Sequence, residues 1–423
     1  MRQLYTLLFY LAVPFILLRL WWRARNAKAY TKRWRERFAH INIPLEWQHG
    51  LWVHAVSVGE VLAAVPLVKA LQQQYADLPI VLTTMTPTGS ARVKANFAEN
   101  VFHTYVPYDL PTVVKRFLRK VKPRALMILE TELWPNILYQ CKQNHIPVIL
   151  ANARLSQKSF NGYAKFPKLT RNMLAAITIL ATHAAADAER FIKLGINPEK
   201  VTVTGSIKFE ISVPASILEQ AQVLRNMLGQ NRSIWIAAST HQGEDKQVLA
   251  AHREVLNILP NTLLILVPRH PERFNNVYQL ASKQGFSTIR RSDGEVCLPE
   301  TQVFLGDTMG ELMLFFAASD LAFIGGSLVD IGGHNLLEPA SLGIASITGP
   351  SYFNFADVTQ ILLDFQAAIQ VDNSDELAQQ VITLLNDSSR RAEMGERGRK
   401  VIEQNRGALA AHLALLKKLL SKD

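Results

Sequence analysis

Residues 321–340 read Leu-Ala-Phe-Ile-Gly-Gly-Ser-Leu-Val-Asp-Ile-Gly-Gly-His-Asn-Leu-Leu-Glu-Pro-Ala, an apolar run followed by a glycine-rich turn and a helix-forming segment. Gly325, Gly326, Gly332 and Gly333 let the backbone approach a phosphate without a clash from Cβ. The backbone amides that open the next helix would donate hydrogen bonds to this phosphate. The stretch predicts a buried strand followed by a nucleotide pocket, although it also fits a plain turn before a capped helix.

Asn335 and Glu338 extend this prediction to the ribose. They are three residues apart, hence on one face of a helix. A carboxylate there can accept hydrogen bonds from both hydroxyls of a ribose.

Short apolar runs alternate with helical patterns on both sides of this stretch, which favours parallel sheets joined by crossover helices. We predict α/β architecture with two doubly wound domains facing a cleft, because ligands of such sheets bind beyond the carboxyl ends of the strands. The predicted strands of the first half are 50–56, 80–84, 125–129, 147–151, 177–181 and 201–204. Those of the second half are 233–237, 262–267, 288–289, 303–305, 321–324 and 345–347.

Length and composition agree with two domains in a reducing compartment. The chain has 423 residues, 48% of them apolar, which is enough for two separate cores. Cys141 and Cys297 lie in unrelated segments without metal-ligand spacing, so they indicate neither a disulfide framework nor zinc. The formal net charge of +11 predicts acidic partners.

The start of the chain predicts an uncleaved transmembrane anchor. The apolar segment from Leu4 to Trp22 approaches the roughly 20 helical residues that a bilayer core needs. Positively charged residues follow this apolar segment, whereas a secretory signal carries them before its apolar segment. The positive-inside rule then places the rest of the chain in the cytoplasm, on an anionic membrane. The basic residues that follow or close the segment are Arg19, Arg23, Arg25, Lys28, Lys32, Arg33, Arg35 and Arg37. Because Pro14 interrupts the segment, a buried amphipathic helix is the alternative.

Carboxylates follow two predicted strands of the first domain. Glu60 comes after a small-residue turn at the start of a helix, where it could act as a general base. A helix amino terminus lowers a carboxyl pKa, so such a base needs burial or another carboxylate nearby. Glu130 and Glu132 follow an apolar strand and would repel each other, a cost that catalysis explains better than packing. Ordinary helix-start and strand-end positions are the alternatives.

Cations and turns at other strand ends complete the candidate site. Lys208 follows the last strand of the first half, although it could instead pair with Glu210. Arg269 follows Pro268 at a strand edge and suits a phosphate, although it could instead pair with Glu272. A nucleobase could stack on the turn of Met309, Gly310 and Glu311, which also fits plain helix capping.

Missing motifs narrow the chemistry. The sequence has no Gly-Lys-Ser/Thr phosphate loop, no Gly-x-Gly-x-x-Gly after the first strand and no Gly-x-Ser-x-Gly elbow. These absences weigh against a nucleoside triphosphatase, a dinucleotide dehydrogenase and a serine hydrolase. Without an Asp-x-Asp signature we expect transfer with no metal and no cofactor, with the leaving phosphate neutralised by Lys208 and Arg269.

Five motifs together resemble the bacterial 3-deoxy-D-manno-octulosonic acid (Kdo) transferases, from the amino-terminal anchor to about residue 415. The motifs are His54-Ala-Val-Ser-Val-Gly-Glu60, Glu130-Thr-Glu-Leu-Trp-Pro-Asn136, Asn152-Ala-Arg-Leu-Ser156, Val267-Pro-Arg-His-Pro-Glu-Arg273 and Gly332-Gly-His-Asn-Leu-Leu-Glu-Pro339. One residue departs from the family pattern: Gln242 stands where glutamate is expected in Ser-Thr-His-x-Gly-Glu.

The resemblance implies a glycosyltransferase-B fold, CMP-Kdo as donor and the phosphorylated disaccharide precursor of lipid A, lipid IVA, as acceptor, with no role for nucleic acid. It implies inversion with Glu60 as base, and transition-state stabilisation by Glu130 and Lys208. The residues that it assigns to CMP are Pro268, Arg269, Met309, Gly310, Glu311, Asn335, Leu336, Leu337 and Glu338.

The expected organisation is an anchor (1–22), a basic juxtamembrane segment (23–40), an acceptor domain (41–210), a linker (211–230) and a donor domain with the terminal helix (231–423). The alternatives are another membrane-associated nucleotide-sugar lipid glycosyltransferase or epimerase, and a non-enzymatic, membrane-anchored nucleotide-binding scaffold.

Overall fold

The computed structural model describes residues 1–24, 32–211 and 213–421. Contacts divide the chain into two compact units. The first unit comprises Met1–Glu210 and Arg406–Asp423, and the second comprises Ile211–Asn405.

Each unit is built around a parallel sheet of seven strands. The strands of the first unit are β1 Leu51–His54, β2 Ile80–Thr84, β3 Phe102–Tyr105, β4 Ala125–Leu129, β5 Val148–Ala153, β6 Ile179–Thr182 and β7 Val201–Val203. Those of the second are β8 Ile234–Thr240, β9 Leu263–Pro268, β10 Thr288–Arg290, β11 Val303–Leu305, β12 Leu321–Ile324, β13 Ser346–Thr348 and β14 Ala368–Gln370.

Helices connect and cover the strands. The helices of the first unit are α1 Arg2–Ala24, α2 Val58–Gln74, α3 Pro87–Phe97, α4 Pro111–Val121, α5 Pro135–Gln143, α6 Gln157–Ala164, α7 Pro167–Leu174, α8 Ala185–Lys193 and α17 Ala408–Leu420. Those of the second unit are α9 Ala215–Leu228, α10 Glu244–Ile258, α11 Phe274–Lys283, α12 Leu312–Ala317, α13 Leu337–Ser341, α14 Ala356–Asp364, α15 Ser374–Asn386 and α16 Ser388–Gln404.

The first sheet has the order β3-β2-β1-β4-β5-β6-β7. Successive strand residues face opposite sides, so Trp52 and Ile128 pack in one core while Leu51 and Met127 pack in the other. The chain reverses its direction across the sheet between β1 and β4. Doubly wound sheets bind ligands at the carboxyl ends of strands at such a switch point.

The second sheet has the order β10-β11-β9-β8-β12-β13-β14, with its switch point between β8 and β12. Four neighbouring strands, β11, β9, β8 and β12, therefore bring the loops after them to one edge. The predicted α/β class with two doubly wound domains is confirmed.

Helix α1 is long and apolar enough to cross a membrane: Arg2–Trp22 has a mean hydropathy of 1.8. Its residues fall on two faces. The inner face packs on the first unit through Phe9, Val13, Ile16 and Leu20. The outer face is exposed and apolar, with Leu4, Leu7, Leu8, Leu11, Phe15, Leu18 and Trp22 between 53% and 72% exposed.

Polar contacts also hold α1 against the first unit. Arg2 donates to Asn136 Oδ1 at 3.0 Å and lies over the ring of Tyr139. Further along the helix, the hydroxyls of Tyr10 and Thr112 are 3.2 Å apart. Together with the inner apolar face, these contacts dock α1 along the unit from Arg2 to Leu20.

The organisation differs from the predicted one at the terminal helix. α17 lies in the first unit, where His412 Nε2 accepts from the amide of Asn152 at 2.9 Å and Glu210 accepts from Gly407 at 2.8 Å. The predicted linker holds α9, which belongs to the second unit through an ion pair of 3.1 Å between Arg225 and Asp320.

The basic segment after α1 is only partly described. Arg25 and Lys28 lie outside the described residues, as does the side chain of Arg23. Arg37 departs from the prediction because it is 3% exposed, and it donates from Nη2 to the carbonyl of Met85 at 2.8 Å. A membrane surface role for this segment therefore depends on other residues, among them the exposed Lys32 and Arg35.

Candidate active site

Glu60 lies at the switch point of the first sheet. After β1 the chain turns through Ala55 and Val56 into α2, which a capping box opens. The carboxylate of Glu60 accepts from the amides of Val56 at 2.7 Å and Ser57 at 3.3 Å, and Ser57 Oγ accepts from the Glu60 amide at 3.2 Å. The side chain is thus held by the turn that β1 creates.

The environment of Glu60 suits proton transfer at neutral pH. Burial raises its pKa from 4.5 to about 7, against the lowering effect of hydrogen bonds from Val56 and Ser57. The charges of Glu132 and Glu130 raise it further. The structure therefore supplies both features that a useful base at a helix amino terminus requires, burial and neighbouring carboxylates.

Glu130 and Glu132 follow β4, the strand next to β1. Glu130 has a φ of 56°, a left-handed conformation that costs energy in residues other than glycine and is common at functional sites. Glu132 accepts from Trp134 Nε1 at 2.9 Å. Burial raises the pKa of Glu132, and the charge of Glu130 adds to this effect.

Lys208 pairs with Glu130, with 3.2 Å between Nζ and Oε1. The possible pairing of Lys208 with Glu210 does not form, because the carboxylate of Glu210 instead holds amides at the start of α17. The structure thus gathers Glu60, Glu130, Glu132 and Lys208 at the carboxyl end of one sheet.

Glu244 changes the interpretation of the glycine-rich turn in the second unit. Its buried carboxylate accepts from the amides of Gly326 at 2.7 Å, Ser327 at 3.0 Å and Leu328 at 2.9 Å. The glycine-rich backbone was predicted to approach a phosphate, but at residues 326–328 the Glu244 carboxylate holds the amides instead. Sequence reasoning missed this role because it joins residues more than 80 positions apart.

Arg269 and three histidines lie beside this turn. The Arg269 amide donates to the carbonyl of Thr240 at 3.0 Å, which fixes the end of β9 against β8. His241 and His334 stack, with 2.9 Å between their Nε2 atoms, and His270 meets His241 edge-on. Burial and the nearby Arg269 lower the pKa of His334 to about 3, so the two stacked rings are neutral and share one hydrogen bond at neutral pH.

Asn335 and Glu338 are brought together as predicted, with 3.3 Å between Nδ2 and Oε1. Helix α13 begins only at Leu337, whose amide donates to Asn335 Oδ1 at 3.1 Å, so Asn335 precedes the helix on which it was predicted to lie. Burial raises the pKa of Glu338, while Asn335 and Arg269 lower it. The structure thus places Arg269 close enough to Glu338 for their charges to interact.

The remaining predicted donor residues lie in the loops at the same edge or in the residues that border these loops. Pro268 ends β9, and Leu336 and Leu337 are buried. The turn after β11 leaves Met309 65% exposed, with Gly310 at a φ of 89° that favours glycine. Glu311 pairs with Arg291 through two hydrogen bonds of 2.9 and 3.1 Å, so its carboxylate is already engaged.

Within the described residues, no group of three or more histidine, cysteine, aspartate or glutamate side chains is arranged to hold a metal ion. The exposed Gln242, the one departure from the expected motif, makes the turn before α10.

Two parallel sheets with these strand orders, and polar residues at the switch point of each, are the architecture of the glycosyltransferase-B (GT-B) fold. The same fold occurs in MurG of Acinetobacter baumannii, which is 13% identical over 88% of this chain and 99% of that chain, with a TM-score of 0.56. At this identity the likeness concerns the fold alone.

Sequence comparisons identify the family. The family model described as 3-deoxy-D-manno-octulosonic-acid transferase (kdotransferase) matches residues 32–211. The 3-deoxy-D-manno-octulosonic acid transferase of Haemophilus influenzae is 44% identical over 100% of this chain and 99% of that protein. The enzyme of the same name from Bordetella pertussis is 34% identical over 96% of both chains. This chain belongs to the Kdo transferase family.

Proposed function

We propose that this Kdo transferase moves Kdo from CMP-Kdo to a hydroxyl of lipid IVA, with inversion at the anomeric carbon and Glu60 as general base. The acceptor oxygen forms a bond to the anomeric carbon of Kdo. On the opposite face the bond from that carbon to the CMP phosphate breaks, and CMP leaves with the electron pair. The acceptor proton passes to Glu60.

The observation that carries this proposal is the state of Glu60. A base works best when its pKa lies near the working pH, and burial brings the pKa of Glu60 to about 7. Its position after β1, at the switch point, puts the carboxylate where ligands of doubly wound sheets bind.

Glu130 and Lys208 would stabilise the transition state. Positive charge develops at the anomeric carbon as CMP departs, and fixed charges aimed at such a centre lower the barrier. The ion pair of 3.2 Å with Lys208 holds Glu130 in place and supplies a cation for the carboxylate of Kdo or the leaving phosphate.

The donor site would lie at the edge formed by the loops after β11, β9, β8 and β12. Arg269 would neutralise the CMP phosphate, and Glu338 would accept from the ribose hydroxyls. Backbone groups of Pro268 and of residues 309–311 and 335–337 would hold the base and the ribose. Glu338 is supported most directly, because Asn335 orients its carboxylate at 3.3 Å.

Membrane attachment would use the outer face of α1, with both units on the cytoplasmic side of the inner membrane. The inner face is docked on the first unit, so the exposed leucines and Trp22 are the part of the helix open to lipid. An apolar face with aromatic residues at its end is typical of helices at membrane interfaces.

The test is the Glu60→Gln variant. Glutamine preserves the capping box but accepts no proton, so turnover of CMP-Kdo with lipid IVA should fall roughly 10²-fold or more while CMP affinity stays unchanged. The Ser57→Ala variant is the matched control: it weakens the helix cap, at a cost of about 1 kcal/mol in stability, and leaves the carboxylate in place. Because the lost hydrogen bond lowers the pKa of Glu60, the two variants are compared at pH 8, where the carboxylate is ionised. Wild-type turnover in Glu60→Gln, or equal losses in both variants, would rule out Glu60 as the base.

A further inference from the structure

The first unit contains an apolar cavity of about 980 Å³ between the inner face of α1 and the helices α6 and α7. We infer that this cavity holds an acyl chain of the lipid acceptor, so that α1 forms one wall of the substrate site. This inference rests on the proposed function, and it adds a binding site for the hydrocarbon part of the acceptor.

The cavity walls suit hydrocarbon. Phe9, Ile16 and Leu20 line it from α1, and Leu169 and Met173 line it from α7. Apolar surface of this kind gains free energy when a hydrocarbon chain displaces water from it. Its volume lies at the upper end of the range for small-molecule sites, which leaves room for a long chain.

One part of the wall is polar and lacks partners. Tyr108 and Arg37 both line the cavity, and each is at least 97% buried. The hydroxyl of Tyr108 and Nε of Arg37 have no hydrogen-bond partner among the residues that the structure describes. Buried polar atoms are rarely left unpaired, and both can donate. Both atoms have less than 1 Å² of accessible surface, so neither is open to the cavity, and the apolar lining is what selects a hydrocarbon chain.

The cavity is also linked to the catalytic carboxylates. Trp134 lines it and donates to Glu132 at 2.9 Å. Tyr163 lines it as well, and burial together with the charge of Glu132 raises the pKa of Tyr163 to about 12. A chain held in the cavity therefore has its sugar close to Glu132, whose charge in turn acts on Glu60.

The closeness of the cavity to Glu132 favours the lipid acceptor over a membrane phospholipid as the occupant. A membrane phospholipid has an acyl chain but no sugar that reacts near Glu132, whereas the acceptor has both. The outer face of α1 faces lipid in the proposed attachment, so an acyl chain reaches the cavity by passing along the helix rather than through water.

Gly162 of α6 provides the test. It lines the cavity, and a Cβ built on it meets no atom within 4 Å, so a large side chain there fills open space. In Gly162→Trp the KM for lipid IVA in detergent should rise at least tenfold. The KM for the same disaccharide without its acyl chains should change less than twofold, which also shows that the variant folds. Gly162→Leu should give a smaller rise for lipid IVA.

Ala164→Trp, on the same exposed helix but outside the cavity lining, should leave both KM values unchanged. Equal changes for the two acceptors in Gly162→Trp, or no change for lipid IVA, would overturn the inference and leave the proposed function intact. A defect seen only with vesicles and not in detergent would assign the cavity to a membrane phospholipid and would also overturn it. If the wild-type enzyme transferred Kdo to neither acceptor, the proposed function itself would fail.

Discussion

Replacing Glu60 by glutamine should make the enzyme more stable at alkaline pH while it abolishes most of the activity. Burial raises the pKa of Glu60 from 4.5 to about 7, which means that the fold favours the neutral acid over the carboxylate. Each pKa unit corresponds to 1.36 kcal/mol, so holding the carboxylate ionised in the folded protein costs about 3 kcal/mol.

The direction of the change in stability with pH follows from the difference between the pKa of Glu60 in the folded and in the unfolded state. Below pH 4.5 Glu60 is protonated in the folded and unfolded states, and its titration costs nothing. Between pH 4.5 and pH 7 the unfolded chain releases its proton first, so the wild-type enzyme loses stability as the pH rises. Glutamine carries no charge at any pH, and its single side-chain oxygen keeps only one of the two hydrogen bonds from Val56 and Ser57, a loss that does not depend on pH. The stability of Glu60→Gln relative to the wild type should therefore grow by about 3 kcal/mol from pH 4.5 to pH 8.

Thermal unfolding of the full chain in detergent, followed by tryptophan fluorescence at pH 5, 6, 7 and 8, measures this difference. In parallel, kcat/KM of the wild type should rise with pH through an apparent pKa near 7, because only the ionised carboxylate accepts the acceptor proton. Two results together would refute the argument: a stability difference between Glu60→Gln and the wild type that does not change with pH, and an acid limb, the fall of kcat/KM at low pH, near pH 4.5. Glu60 would then titrate like an exposed glutamate.

Further predictions concern the neighbours of Glu60, the donor site, metal dependence and the membrane. Glu132→Gln removes a charge that raises the pKa of Glu60, so the acid limb of kcat/KM should move to lower pH; a limb that stays in place would show that the two carboxylates do not interact. Glu338→Ala and Arg269→Ala should each weaken CMP binding by about 1.5–3 kcal/mol in calorimetry, and unchanged affinity in both would remove this pocket. Arg269 is expected to neutralise the leaving phosphate without a metal ion, so turnover should persist in excess EDTA. A loss of turnover in EDTA that magnesium restores would contradict this expectation. A cysteine placed at Gln3 should react with an impermeant maleimide only from the cytoplasmic side if α1 lies along the first unit; labelling from the opposite side would show that the helix crosses the membrane.

The sequence was sufficient for most of the fold because the buried strands are continuous apolar runs. Ala125–Leu129 and Leu321–Ile324 have the bounds that their composition predicts, since both faces of a parallel sheet are covered. Two strands were missed. Phe102–Tyr105 has two polar residues, His103 and Thr104, at its centre, and Ala368–Gln370 has only three residues at a sheet edge. Neither has the apolar run that marks the central strands.

Part of the site followed from chain order alone. Glu60 and Glu130 follow strands that prove adjacent, and the carboxyl ends of adjacent parallel strands share one edge. The state of Glu60 did not follow, because its pKa depends on burial and on charges some 70 residues away in the sequence. Glu244 was missed for the same reason: no local pattern shows that its carboxylate fills the turn at Gly326.

The packing of the first and the last helix could not be predicted without the tertiary structure. Composition marks residues 2–22 as apolar, and it does not show that one face of this helix packs on the first unit. Arg37 belongs to a basic segment by sequence but is buried beneath the Tyr105 ring, at 4.4 Å from the ring centroid. The terminal helix follows the second unit in sequence but binds Asn152 of the first through His412.

We propose that this enzyme transfers Kdo from CMP-Kdo to lipid IVA with Glu60 as the base. Mass spectrometry of the products formed by the purified enzyme from these two substrates tests it most directly. We expect lipid IVA heavier by one or more Kdo residues, one CMP released for each Kdo transferred, and almost no product from Glu60→Gln under the same conditions. Unmodified lipid IVA with the wild-type enzyme, or equal product from the variant, would contradict it.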